Sequence, residues 1–346
     1  MNFNELKRTF IIAEIGINHE GDFNIAAELV KKASECGVDA VKFQTFTPCH
    51  YVASDQPERL ERIKKYALTS DHFKAIAKLA KSNGLIFFST PFHPLNADFL
   101  DEIQPIFKIS SGDLTFLELI THVAKKGKPM IISTGLGTKE EIRTAIEAVV
   151  KARSDIIEKG ELMLMHCVSA YPTPDEEANI ANIHWLADNF NLPVGYSDHT
   201  LGIKACELSV AAGAKAIEKH FTYRKENQVF HDHAISADPR DLKELVQAVR
   251  RAEIFIGRAV RERGPTESKM LNLMRRSIAA AVDIPAGIPV KREWLTWLRP
   301  AWGIPPERIN EIIGVPLVRN IKAGSLIKEE YISVSNSISK VEVSNL

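Results

Sequence analysis

The apolar residues of the first 222 positions fall into eight short runs, and each run ends in polar residues that can do chemistry. A run of about four to eight apolar residues between turn signals is typical of a strand buried on both faces. The pattern therefore predicts eight buried strands. The runs are Phe10–Glu20, Ala40–Thr45, Leu85–Pro91, Ile106–Asp113, Met130–Gly135, Leu162–Tyr171, Val194–His199 and Ala216–Phe221.

Amphipathic helical patterns separate these runs. Apolar residues recur at helical spacing between residues 73 and 80, for example. After the eighth run, Asp238 can cap a helix that begins at Pro239 and ends at Gly257. Strands that alternate with helices predict a (β/α)8 TIM barrel over residues 1–257. In that fold the C-terminal ends of the strands meet on one face, which holds the active site.

The remaining residues have a different organisation. Residues 258–276 are polar and indicate a linker or a partly helical arm. Residues 277–334 contain a short repeat, because Asp283–Leu295 and Asn320–Ile332 share Ile, Ala-Gly, Lys and Glu before an aromatic residue. The repeat predicts a compact module with approximate two-fold symmetry and an Ala-Gly turn in each copy, unless the likeness is coincidental. Residues 335–346 are polar and indicate a flexible tail.

Composition narrows the function classes. The 346-residue chain has 44 basic and 44 acidic residues, so neither nucleic acid nor a membrane surface is an expected partner. The sequence lacks an apolar run of about 20 residues, which a membrane span requires. The widely spaced cysteines suggest reduced thiols in a cytoplasmic protein. One of them lies at a strand end, where a reactive role is possible, although no partner base is evident. The cysteines are Cys36, Cys49, Cys167 and Cys206.

Two histidines end the seventh and eighth runs. Neighbouring strands lie about 4.8 Å apart, so His199 and His220 could reach one metal ion above the barrel. The alternative is that each is a hydrogen-bonded histidine in a polar rim. The adjacent Asp198 and Glu218 favour the metal, because carboxylates can orient such rings or bind the ion themselves. Zn, Fe and Mn all remain open from this chemistry.

Lys42 and Lys108 lie inside apolar runs, where an ammonium group is costly without an anion or water. They could form buried ion pairs with Glu14 or Asp113, or they could bind a phosphate or carboxylate. Lysines, hydroxyl groups and backbone N–H groups together are the usual phosphate ligands, so we favour the anion site. The nearby strand-end hydroxyl groups are those of Ser89, Thr90, Ser110, Ser111, Ser133, Thr134 and Ser197.

Glu14 lies in the first run and could act as a general base, hold a substrate hydroxyl or neutralise Lys42. A metal site, an anion site and a carboxylate on one face imply a small phosphorylated substrate. Carbon–carbon bond formation, isomerisation and hydrolysis remain open at this level.

These motifs resemble the N-acetylneuraminate (sialic acid) synthase family across essentially the whole chain. The C-terminal module resembles the family's antifreeze-like (SAF) domain, including WLRPAWGIP at 297–305. The barrel strings are AEIGINHEG at 13–21, VKFQT at 41–45, STPF at 89–92, KISSGD at 108–113, STG at 133–135, HCVSAYPTP at 166–174, YSDHTLG at 196–202 and IEKHF at 217–221.

The resemblance implies a transferase that condenses phosphoenolpyruvate with an N-acylated mannosamine-type sugar, giving a nonulosonic acid and phosphate. It also implies a divalent metal, usually Mn2+ with Mg2+ or Co2+ as alternatives, and a homodimer in which each SAF domain caps the partner's barrel. By motif, His199 and His220 would bind the metal, and Glu14 and Asp198 would have catalytic roles. The phosphoenolpyruvate ligands would be Lys42, Thr90, Lys108, Ser111, Ser133, Ser169 and Ser197. The sugar contacts would be Gln44, Asp113, Tyr171, Asp232 and Arg299.

Three departures from the family pattern concern the sugar half of the site. Sialic acid synthases typically have Glu at the position of Asp113 and often Asn at that of Ser169. The loop at 223–231 lacks their Pro-Gly-Pro-Asp signature. Synthases of legionaminic acid, pseudaminic acid or a spore-coat sugar are therefore alternatives. A non-catalytic sugar- or ice-binding protein is a further one, which the intact set of charged residues and histidines disfavours.

Overall fold

The computed structural model describes residues 1–225 and 232–332. The chain divides into two compact units, with the boundary between Gly257 and Arg258. The predicted tail at 335–346 lies outside the described residues, as does most of the loop at 223–231.

The first unit is built on eight parallel strands, and the fold prediction is confirmed. The order in the sheet is β3-β2-β1-β8-β7-β6-β5-β4. Because β3 and β4 also lie side by side, the sheet curls into a nearly closed barrel. The strands are β1 Phe10–Gly16, β2 Ala40–Thr45, β3 Ile86–Pro91, β4 Phe107–Ile109, β5 Met130–Ser133, β6 Leu162–Cys167, β7 Val194–Asp198 and β8 Ala216–His220.

Three strands end earlier than the hydrophobic runs suggest. β1 stops at Gly16, which has a φ of 54° and shifts the register against β2. β4 stops at Ile109 because Ser111–Asp113 forms a 3-10 turn. β6 stops at Cys167, and the remainder of its run is a loop. The polar residues at these three positions therefore lie on loops at the C-terminal end of the barrel.

Helices cover the outside of the barrel, and local sequence signals set several of their ends. Thr138 and Glu141 form a reciprocal capping box at α7, and the Asp238 side chain accepts from the Asp241 N–H at α11. Within the described ranges, no helix combines the length and apolar character needed to cross a bilayer. The helices are α1 Phe23–Cys36, α2 Pro48–Tyr51, α3 Pro57–Lys64, α4 Ser70–Ser82, α5 Pro94–Asp101, α6 Leu117–Ala124, α7 Lys139–Ala152, α8 Asn182–Phe190, α9 Lys204–Ala211, α10 Asp232–Ile235 and α11 Pro239–Ile256.

The side chains inside the barrel change from apolar to polar along the strands. Successive residues of a strand point to opposite faces, so every second residue enters the barrel. At the N-terminal end these positions form an apolar plug around Phe10, Ile12, Phe88 and Met163. Further along, the inward positions are polar and still buried. They include Glu14, Lys42, Thr90, Lys108, Ser133, Ser197, Glu218 and His220.

The second unit begins with α12 Pro265–Met274 and contains β9 Ser277–Ala280 paired antiparallel with β10 Leu295–Leu298. The two repeat copies have equivalent local structures. Ile284 and Ile321 exchange both backbone hydrogen bonds, at 2.8 and 2.9 Å. Gly287 and Gly324 have positive φ angles of 77° and 81°, as the Ala-Gly turns require. The repeat is therefore a structural one.

Candidate active site

A cavity of about 430 Å3 opens at the C-terminal ends of the barrel strands. Its size is within the usual range for small-molecule sites. Twenty residues line it: Glu14, Lys42, Gln44, Tyr51, Thr90, Phe92, Lys108, Ser110, Ser111, Gly112, Asp113, Ser133, Leu136, Cys167, Ser169, Tyr171, Ser197, His199, Glu218 and His220. The structure thus brings together all the predicted site residues except Asp198, Asp232 and Arg299.

Two lysines and two glutamates form a buried ionic network at the floor of this cavity. Lys42 Nζ lies 2.8 Å from Glu14 Oε2 and 3.6 Å from Glu218 Oε1. Lys108 Nζ lies 3.1 Å from Glu218 Oε2, and Ser197 Oγ donates to Glu218 Oε1 at 3.1 Å. Glu218 is therefore the centre of the network. Lys108 pairs with this residue rather than with Asp113, whose carboxylate accepts from Ser110 Oγ at 2.5 Å.

Burial and charge shift the network's pKa values in opposite directions. Burial alone would raise the pKa of Glu218, but Lys108 and Lys42 outweigh it and lower the pKa to about 2. Burial raises the pKa of Glu14, and burial lowers that of Lys108. Glu218 is thus the fixed anion of the network, whereas Glu14 is the carboxyl group better suited to carry a proton.

Several hydroxyl groups surround the two lysines. Lys42 Nζ donates to Thr90 Oγ1 at 3.3 Å. Ser133 Oγ is buried and has no hydrogen-bond partner among the described atoms. A buried hydroxyl without a partner is costly, which favours a ligand that would complete its hydrogen bonding. With the lysine ammonium groups, these donors suit an oxyanion such as phosphate or carboxylate.

His199 and His220 lie together at the edge of the cavity, with their ring centroids 5.5 Å apart. His199 Nδ1 lies 2.6 Å from Val168 O. A carbonyl only accepts, so Nδ1 carries the hydrogen and Nε2 has the free lone pair. His220 Nδ1 is buried without a partner in the described chain. Burial lowers the pKa of both rings, which keeps them neutral.

This pair fits a divalent metal held by two protein nitrogens. Metal-binding histidines usually donate their second N–H to a carbonyl or carboxylate, as His199 does here. No group of three or more His, Cys, Asp or Glu residues with metal-binding geometry occurs within residues 1–225 and 232–332. A metal held by these two nitrogens would have open positions for water or substrate.

Three of the predicted sugar contacts, Gln44, Asp113 and Tyr171, line the cavity. Gln44 Nε2 donates to Glu14 Oε1 at 3.2 Å. A Cβ at Gly16 would approach these two groups to 3.3 and 3.1 Å, so the glycine leaves room for their contact. The Tyr171 ring packs against His199 with centroids 4.1 Å apart.

An aromatic wall that the sequence analysis did not identify completes the mouth. Tyr51 and Phe92 both line the cavity, and their ring centroids are 4.7 Å apart. Phe46 packs behind them, 5.4 Å from Tyr51. These aromatic residues follow the C-terminal ends of β2 and β3, and that position in the sequence could have predicted that they lie near the cavity. The wall gives the cavity an apolar surface next to its ionic floor.

Asp198, which was predicted to have a catalytic role, is separated from the residues of the cavity. Its side chain does not line the cavity but lies on the helix-facing side of β7. There it pairs with Lys219 Nζ at 2.7 Å and accepts from Tyr196 Oη at 3.0 Å. The strand alternation explains this, because Ser197 enters the barrel and its neighbour must point out. Glu218, expected to support the histidines, holds the central position instead.

Two other predicted residues do not line the cavity. Asp232 opens α10, and its negative charge contributes to raising the pKa of Tyr171 at the mouth, although burial is the larger cause. Arg299 belongs to the second unit, where its Nε donates to Met274 O at 2.7 Å. The predicted sugar contacts of both residues remain predictions.

The fold and the cavity define a class of TIM-barrel protein with buried lysines and glutamates beside a pair of histidines at the C-terminal ends of the strands. The chain belongs to the NeuB family, whose model matches residues 29–261, and the SAF domain model matches residues 275–332. The family assignment made from the motifs is confirmed.

Named relatives cover almost the whole chain. The N,N'-diacetyllegionaminic acid synthase of Legionella pneumophila is 40% identical over 93% of this chain and 94% of its own length. A pseudaminic acid synthase of Campylobacter jejuni is 33% identical over 95% of this chain and 98% of its own length. The N-acetylneuraminic acid synthetase of Leptospira borgpetersenii, solved with citrate, has a TM-score of 0.71 at 33% identity, covering 76% of this chain and 90% of that one. These three relatives are thus named as synthases of nonulosonic acids.

Proposed function

We propose that this protein condenses phosphoenolpyruvate with an N-acyl amino sugar to give a nonulosonic acid and phosphate. The observation that carries the proposal is the juxtaposition of two buried lysines with strand-end hydroxyl groups and two neutral histidines in one cavity. The first group suits the two anionic ends of phosphoenolpyruvate. The second suits a divalent cation, for which Mn2+ is our first choice and Mg2+ or Co2+ the alternatives.

For the acceptor we propose a six-carbon sugar that carries two acetamido groups. A nonulosonic acid has nine carbons, and three of them come from phosphoenolpyruvate. A diacetyllegionaminic acid synthase is the relative with 40% identity. The Tyr51–Phe92 wall supports this choice, because acyl methyl groups gain from contact with aromatic carbon.

In the proposed reaction, C3 of phosphoenolpyruvate forms a bond to the aldehyde carbon of the open-chain sugar. Lys42, Lys108 and the hydroxyl groups hold the phosphate and carboxylate oxygens. A divalent cation bound at the histidines would polarise the aldehyde oxygen. Positive character then develops at C2, where Glu218 supplies a fixed negative charge. The aldehyde oxygen takes a proton from Glu14 and becomes a hydroxyl group. Water then adds to C2 and returns a proton to Glu14. The new C2 hydroxyl becomes the ketone as the C2–O bond to phosphate breaks, and its proton leaves with the phosphate.

We further propose a cytoplasmic homodimer in which the SAF domain of one chain caps the barrel of the other. The family resemblance supports this arrangement, and Arg299 is the residue we expect to reach the partner's site. A cap would restrict water and hold both substrates together.

The test is phosphate release by purified protein given phosphoenolpyruvate, Mn2+ and one sugar from a panel, with products identified by mass spectrometry. We expect release only when all three are present, and highest with the diacetamido hexose. Lys108→Met should abolish release, whereas Lys81→Met, on the exposed side of α4, should not. No release with any N-acyl sugar would overturn the proposal. Sugar binding without turnover would favour a non-catalytic carbohydrate-binding protein.

A further inference from the structure

A small cradle at the end of β5 contains a thiol that the proposed reaction does not use. Gly135 follows Ser133 on the loop after this strand. A Cβ at Gly135 would lie 2.8 Å from Ser111 Oγ, 2.8 Å from Cys167 Sγ and 2.6 Å from Ser169 Oγ. Real Cβ atoms do not approach other atoms this closely. The missing side chain therefore allows three polar groups, one from the turn after β4 and two from the end of β6 and its loop, to converge on one point of the cavity wall.

Hydrogen bonds join two of these groups. The Gly135 N–H donates to Ser111 Oγ at 3.1 Å. Ser111 Oγ also lies 2.9 Å from Cys167 Sγ, and either atom can be the donor in this contact. A hydroxyl oxygen has two acceptor sites and one hydrogen. Because Gly135 occupies one acceptor site, the contact with Cys167 decides where the hydrogen of Ser111 points.

The neighbouring Ser133 indicates that this wall faces a ligand. Its hydroxyl group is only 3% exposed and has no partner in the described residues. It lines the same cavity as Ser111, Cys167 and Lys108. An oxyanion placed here would accept from Ser133 and from Ser111, provided that the Ser111 hydrogen is directed at it.

We propose that Cys167 is a positioning residue for the oxyanion site. Its S–H donates to Ser111 Oγ and fills the second acceptor site, so that the Ser111 O–H points to a phosphate oxygen. The resulting chain runs from thiol to hydroxyl to anion. Hydrogen bonds to an anion are stronger than neutral ones, which favours this direction over donation from Ser111 to sulfur. Identifying the anion as the phosphate of phosphoenolpyruvate rests on the proposed function.

The first experiment measures binding of inorganic phosphate by isothermal titration calorimetry, without any turnover. Cys167→Ala removes the donor, and we expect its affinity for phosphate to fall by about three- to tenfold, the usual effect of one neutral hydrogen bond. Cys167→Ser keeps a donor of similar size and should bind within about twofold of the unaltered protein. Cys36→Ala is the matched control. This second buried thiol donates to Pro239 O at 3.3 Å, outside the cavity, so its loss should leave phosphate binding unchanged.

The second experiment separates the two substrates in steady-state kinetics. Cys167→Ala should raise KM for phosphoenolpyruvate by a similar factor while KM for the sugar stays unchanged. A purely structural role would instead alter thermal stability or both KM values together. Gly135→Ala should weaken phosphate binding more strongly, because its Cβ would displace all three cradle groups.

The outcomes distinguish this inference from the proposed function. Unchanged phosphate affinity in Cys167→Ala, or equal losses in the Ala and Ser variants, would overturn the positioning role. If the Ala variant weakens phosphate binding as expected but no sugar supports turnover, the positioning role stands and the proposed function fails. If Cys167→Ala turns over substrate with an unchanged KM for phosphoenolpyruvate, the proposed function stands and the positioning role fails.

Discussion

Removing the central anion of the cavity should destabilise the protein and make it depend on an added anion. In Glu218→Gln, Lys42 and Lys108 lose a partner at 3.6 and 3.1 Å. At an effective dielectric constant of about 20, each attraction is about 5 kcal/mol. Part of this loss is offset, because the neutral amide of Gln costs less to bury than the charged carboxylate of Glu218. Breaking a buried pair from one side costs about 3–5 kcal/mol, which corresponds to a Tm lower by roughly 6–10 °C for a domain of this size.

The assay is thermal unfolding with increasing inorganic phosphate. A phosphate dianion can take the place of Glu218 between the two ammonium groups, so it should raise the Tm of Glu218→Gln more than that of the unaltered protein. Asp198→Asn is the matched control, because it removes an equally buried carboxylate 2.7 Å from Lys219 on the outer face of the sheet. We expect it to lower Tm but to gain from phosphate only as much as the unaltered protein.

Two results would refute this reasoning. One is a Tm for Glu218→Gln within about 2 °C of the unaltered protein, because an unpaired buried ammonium group should lower the free energy of unfolding by more than that shift represents. The other is an equal phosphate response in Glu218→Gln and Asp198→Asn, which would mean that the anion does not bind near the lysines.

Three further predictions concern the metal, the dimer and pH. His220→Ala should lower Mn2+ affinity at least about tenfold in calorimetry and reduce phosphate release with it; full activity of the metal-depleted variant would contradict the metal assignment. Arg299→Ala and Lys42→Ala should each be inactive alone but regain phosphate release when mixed, because hybrid dimers would contain one intact site; no recovery would favour capping within one chain. Burial lowers the pKa of His19 from 6.5 to about 4, so protonation of His19 should lower the unfolding free energy by about 1.6 kcal/mol between pH 6.5 and 5, and the loss in His19→Gln should be smaller by that amount; equal losses in denaturant titrations would contradict this.

The barrel could be predicted from the sequence because a strand that is buried on both faces consists of a continuous apolar run. Each run supplied both a strand and the polar residues beyond its end. The lysines were identifiable for the same reason, since an ammonium inside such a run requires an anion. The resemblance to the family then assigned roles that the spacing alone left open.

What the sequence could not supply was the face of the strand on which each polar residue lies. Asp198 and Glu218 both precede a histidine by one or two positions, and each is followed by a polar residue. Only the register of β7 and β8 shows that one points out and the other in. The contact of Cys167 with Ser111 joins residues 56 positions apart, and local patterns contain no information about it.

The adjacent charges of Glu218 and Lys219 have a consequence for how β8 finds its place in the sheet. A slip of one residue would move Lys219 inward, beside Lys42 and Lys108, and Glu218 outward, against Asp198. Three ammonium groups would then share the interior and two carboxylates the exterior, so misaligned pairing is penalised on both sides at once. The charges that equip the cavity also specify the alignment of the strand that carries them, and substitutions there should increase misfolding as well as impair chemistry.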